Sequence, residues 1–152
     1  MRDPGGRYEK KTTRGGFGQM IDGKILMAYV LKKTGCIHPF RLSRILAFIE
    51  IEWLKGKGER LTEIKYVRGP GTFYIEGLKE AIEEDSCFNK IEGDPKIGRR
   101  GCIEYRCEPS SLPKEIEGFV NEKIEKALGF EEQRLNEIIV NNELFERISL
   151  PG

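Results

Sequence analysis

The chain has 152 residues, 38% hydrophobic and 34% charged, with a formal net charge of +1. This supports one compact domain with a core of ordinary size and excludes a large active-site cavity between two lobes. The longest apolar run, residues 25–31, is far short of the roughly 20 residues a membrane helix needs, and no signal-peptide layout opens the chain, so a cytoplasmic, non-membrane protein is expected.

Residues 1–19 carry Arg2, Arg7, Lys10, Lys11 and Arg14 among Gly5, Gly6, Gly15, Gly16 and Gly18, with almost nothing to bury. They are expected to form a flexible basic arm, ahead of a single domain over residues 20–148. Asp22 is placed to cap a helix running to Lys33, with Ile25, Leu26, Tyr29 and Val30 at helical spacing and Gly35 as its stop. A second helix opens at His38-Pro39 and continues through Leu42, Ile45, Leu46, Ile49 and Trp53 to the glycines at 56 and 58. Its wide apolar face marks it as the central helix. Residues 61–67 fit a short pairing or a short helix equally.

The turn Arg68-Gly69-Pro70-Gly71 follows, and Thr72 is placed to cap a third helix whose Phe73, Ile75, Leu78, Ala81 and Ile82 form a buried stripe, with Leu78 and Ile82 expected in the core. Residues 87–91 and 102–107 alternate like strands around a basic, glycine-rich tip, the shape of a wing. Ile103, Tyr105 and Cys107 share one face of the second strand. Pro113 opens a helix that Gly129 stops, and a last helix covers about 131–143. The fold class is α+β: winged-helix-like, mostly helical, with one β-hairpin wing and two C-terminal helices.

Candidate chemistry is sparse. His38, the only histidine, has no plausible nucleophile to partner and reads as a helix-start residue. Glu50, Glu52, Glu83, Glu84 and Asp85 read as solvated faces of amphipathic helices. Gly69-Pro70-Gly71 with Arg68 offers an anion-binding helix start, but no phosphate-loop pattern accompanies it. Cys36, Cys87, Cys102 and Cys107 form no CxxC pair, so neither zinc nor thioredoxin-like chemistry is expected. Buried thiols are the first reading of these cysteines and disulfides the second. No catalytic residue, metal or cofactor is expected. High charge with glutamine only at positions 19 and 133 leans toward a thermophilic source.

The net charge hides an asymmetry. Residues 1–107 hold 21 basic and 15 acidic side chains, a balance of +6, whereas residues 108–152 hold 5 basic and 10 acidic ones, a balance of −5. Such polarity suits an oppositely charged protein, or a second copy of this chain, more than a uniform nucleic-acid binder. The expected binding residues are Arg68, Lys96, Arg99 and Arg100 with Arg7, Lys10, Lys11 and Arg14 of the arm. The third helix carries Glu76, Glu80, Glu83, Glu84 and Asp85 against Lys79 alone, which argues against reading a DNA major groove.

Residues 42–91 resemble the central stretch of the Panacea (SocA-like antitoxin) family. There, a helix with a Lys-Leu-aromatic run leads through G-x-x-L/I-T-x-x-x-Y to a Gly-Pro turn. The matching positions are Leu46, Phe48, Gly58, Leu61, Thr62, Tyr66, Gly69 and Pro70; Ser43-Arg44 and Gly71 depart from the pattern. The resemblance implies a non-enzymatic antitoxin or adaptor that binds a toxin-like protein. The alternative reading is a winged-helix DNA-binding regulator that uses the wing and the arm.

Overall fold

A computed structural model describes residues 20–152; Arg7, Lys10, Lys11 and Arg14 lie outside the described residues. Helix α1 (Gly23–Thr34) is capped by the Asp22 carboxylate, which accepts from the Lys24 N–H, and ends at Gly35 with φ 86°. Helix α2 (Pro39–Lys57) begins at His38, whose Nδ1 accepts the Phe40 N–H at 3.0 Å. It ends at Gly58, whose φ of 79° suits glycine because it has no Cβ. Nearly every residue of α2 from Leu42 to Leu54 is buried, as expected for a helix surrounded by others. Leu46 and Ile49 are wholly inaccessible, and side chains of this kind each stabilise the fold by about 1.5–3 kcal/mol.

The first departure from expectation comes at the Gly-Pro-Gly turn. Residues 72–75 are strand, not helix: β1 (Tyr66–Gly69) and β2 (Thr72–Ile75) form an antiparallel hairpin in which Tyr66 faces Ile75 and Gly69 faces Thr72. Proline followed by Gly71 at φ 66° is the arrangement of a type II turn. Phe73 and Ile75 are buried while Thr72 and Tyr74 are exposed, which is a period of two. The expected helix shrinks to α3 (Leu78–Glu83), which starts after Gly77 and buries no side chain completely.

A second hairpin pairs β3 (Phe88–Ile91) with β4 (Cys102–Tyr105), as the alternation indicated, and a short 3-10 turn (Pro95–Ile97) forms its tip. Helices α4 (Lys114–Leu128) and α5 (Glu132–Val140) follow as expected and pack on α2. In addition, α6 (Phe145–Ile148) leads into β5 (Ser149–Pro151), which runs parallel to β1 and completes a sheet of order β2-β1-β5. The folded unit therefore extends past residue 148. The architecture is α+β, with six helices, a three-stranded sheet and a two-stranded hairpin among the described residues.

Two expectations about polar residues are corrected. The cysteines are not thiols: Cys36 bonds to Cys102 and Cys87 to Cys107, with Cα–Cα distances of 5.3 Å in both. Glu50 is not on a solvated face but wholly buried. Its carboxylate accepts from the Leu61 and Thr62 N–H groups and, at 2.6 Å, from the Thr62 hydroxyl, while Arg60 Nε stands 3.1 Å away. The Leu61-Thr62 connector is therefore fastened to the central helix by one carboxylate.

Candidate functional site

Helix α3 is the least covered of the α-helices among the described residues. Six residues are too few to hold a helix in water without tertiary support, yet Leu78, Ala81 and Ile82 are only half-buried. The core assignment made for Leu78 and Ile82 from their spacing is thus met only in part. A groove of about 230 Å³ runs along this face, between Leu78 and Ile82 of α3, Pro39 at the start of α2, and Lys90 and Ile103 of the second hairpin. Lys79 and Glu83 complete its rim. On the other side of α3, a cleft of about 250 Å³ shares Leu78 and is lined by Met27, Ile64, Ile75 and Ala81. Apolar side chains therefore stand half-open on both flanks of one short helix.

The basic residues expected to bind a partner are divided among three settings. Lys96 and Arg99 are exposed at the hairpin tip beside Ile97, which is 69% exposed. Asp94 caps that tip by accepting the Lys96 N–H, and Arg99 donates to the Glu92 carbonyl. Arg100 is held instead by both oxygens of Glu132 on α5, at 3.0 and 2.9 Å. Arg68 lies on the other sheet, half-buried, with Nη1 3.9 Å from Glu146 and a buried Nε that has no hydrogen-bond partner among the described residues. The tip residues stand together on one exposed loop, whereas Arg100 faces Glu132 and Arg68 faces Glu146 elsewhere on the fold.

A polar cluster that the sequence reading passed over lies where α2, the first hairpin and α5 meet. Arg44 is 2% exposed, with its guanidinium 3.7 Å from the Phe40 ring centre and 3.9 Å from that of Phe73. It donates to Asn136 Oδ1 at 3.0 and 2.8 Å, to Ser43 at 2.7 Å and to Thr72 at 2.7 Å. Asn136 in turn donates to the Gly71 carbonyl at 3.0 Å. Burial pushes the Arg44 pKa down to about 10, and Glu132 offsets part of that. The group stays cationic at neutral pH and ties three elements together through neutral acceptors and two ring faces. Its one sequence signal was Ser43-Arg44 interrupting the Leu42–Phe48 apolar run. Nearby, burial and then Arg100 hold the His38 pKa below its usual 6.5, with Glu132 acting in the opposite sense.

No family model, curated protein or solved structure matches the chain. Among the described residues, no group of three or more His, Cys, Asp or Glu stands together as a metal site, and no helix is long and apolar enough to cross a membrane.

Proposed function

We propose that this chain is a non-enzymatic interaction module that binds a partner protein, in the way its resemblance to Panacea antitoxins implies, and that the groove beside α3 receives the partner. The observation that carries this reading is the half-covered apolar face of α3 over a groove rimmed by Lys79, Lys90 and Glu83. Seating an apolar side chain there would complete the burial of Leu78 and Ile82, and Lys79 and Lys90 favour carboxylates on either side of that anchor. The partner is thus read as a toxin-like protein presenting an apolar residue flanked by acids. We read the protein as cytoplasmic; its disulfides are compatible with a thermophilic source, whose intracellular proteins retain such bonds.

The test is calorimetric titration with the product of the neighbouring reading frame. Binding is expected, with Lys79→Glu/Lys90→Glu weakening it roughly tenfold or more and Ile82→Glu abolishing it, while circular dichroism stays unchanged. Full-strength binding by both variants would refute the groove, and no binding would refute the partner. Among the described residues, the winged-helix DNA reading is favoured only by Lys96 and Arg99 at the hairpin tip. It predicts duplex binding that falls steeply with salt and weakens in Lys96→Ala/Arg99→Ala.

A further inference from the structure

We infer that the docking groove is under redox control, its walls being held in place by two disulfides that a dithiol can open; this rests on the docking reading above. Cys36 precedes Pro39 by three positions and is bonded to Cys102, the neighbour of Ile103, so one bridge joins the α2 wall to the hairpin wall. Cys87 follows Glu83 by four positions and is bonded to Cys107 just beyond β4, so the other joins the α3 wall to the hairpin wall. The three segments that line the groove are the three that the bridges connect. All four cysteines are half-buried, and none is sealed in the core.

The walls differ in what else retains them. Ile37 and Ile103 exchange backbone hydrogen bonds at 3.1 and 2.8 Å, and Ile103 is 2% exposed in the main core. The hairpin therefore stays docked without its bridges. Helix α3 buries no side chain completely, and it is retained by the half-buried Leu78 and Ile82, by Lys24 Nζ 3.8 Å from Asp85, and by the foot of the hairpin, where the Arg106 N–H donates to the Cys87 carbonyl at 2.8 Å and Phe88 pairs with Tyr105. Opening Cys87–Cys107 thus loosens the foot of the hairpin and, through it, α3, the helix with the least burial to retain it. A dithiol of the thioredoxin class supplies the two electrons and two protons. Its thiolate attacks one sulfur to form a mixed disulfide, and its second thiol resolves this, leaving two protein thiols and an oxidised reductant. With α3 loosened, the groove loses one wall and partner affinity falls.

Hydrogen exchange followed by mass spectrometry on the full chain tests this without any partner. The comparison is between oxidised protein, protein reduced with dithiothreitol and alkylated, and the variants Cys87→Ala/Cys107→Ala and Cys36→Ala/Cys102→Ala. Exchange over residues 78–87 should quicken by about tenfold or more in the reduced protein and in the first variant, with residues 42–54 unchanged. The second variant should move this segment less. Equal exchange in all samples, bonds that resist dithiothreitol until the protein unfolds, or loss of protection throughout the chain would each overturn the inference. Affinity for the neighbouring-frame product should then fall on reduction. If exchange responds and the oxidised protein binds no such product, the docking reading fails while the redox response stands.

Discussion

Replacing Glu50 by Ala should destabilise the protein by about 3–5 kcal/mol, because it leaves two buried N–H groups and one buried hydroxyl without their charged acceptor, at about 1–3 kcal/mol each. The carboxylate satisfies the Leu61 and Thr62 N–H groups and the Thr62 hydroxyl, and it faces Arg60 Nε at 3.1 Å. The truncation leaves those donors without an acceptor in a site closed to solvent, since the Glu50 side chain has 0% exposure. Glu50→Gln separates charge from shape. One amide oxygen can keep both backbone N–H groups, and the Thr62 hydroxyl can turn to accept from the amide. Only the charge is lost, and the expected cost is about 1.5–3 kcal/mol. The assay is equilibrium unfolding in guanidinium chloride, in which the midpoint should fall while the slope holds. Amide exchange at Leu61 and Thr62 should rise in Glu50→Ala before any change in α4. A loss below about 1 kcal/mol for Glu50→Ala, with those amides still protected, would show that the connector is held by its apolar contacts and not by the carboxylate.

Tyr66 is wholly buried and its hydroxyl has no hydrogen-bond partner among the described residues, so Tyr66→Phe should leave stability unchanged or raise it by up to about 1 kcal/mol; a loss larger than that in thermal unfolding would refute the assignment. His38 caps α2 through Nδ1, and its folded pKa lies below its usual 6.5. The unfolded chain therefore takes up the proton first as pH falls, and the stability present above pH 6.5 is lost as pH drops toward the folded value. His38→Asn, which can cap without titrating, should remove that part of the stability–pH curve; an unchanged curve would assign it to other groups. Arg44→Lys cannot fork to Asn136 while reaching Thr72 and Ser43, and should cost about 2–3 kcal/mol in denaturant unfolding; a change under about 0.5 kcal/mol would mean that the ring stacking alone holds the site.

The sequence by itself determined the elements whose signals are local. The Asp22 cap and Gly35 stop of α1, the Pro39 start and Gly58 stop of α2, and the Pro113 and Gly129 limits of α4 are properties of single residues and their backbone preferences, and each stands where the pattern put it. The alternation of β3 and β4 was legible for the same reason. Thr72–Ile75 was not, because Phe73, Ile75, Leu78 and Ile82 also satisfy a helical period. Pairing with Tyr66–Gly69 decided it in favour of strand, and β5 exists only because the folded chain returns its end to β1. Carboxylates and cysteines carry no local signal for burial or bonding. Glu50 looked solvated because acids between apolar residues usually are, until the Leu61-Thr62 backbone is brought against α2 with donors that only a buried acceptor can satisfy. Arg44 became a buried cation when two rings and Asn136 converged on it from three elements. Which cysteines bond depends on distances between segments 66 and 20 residues apart in the chain, and those distances are set by tertiary packing alone.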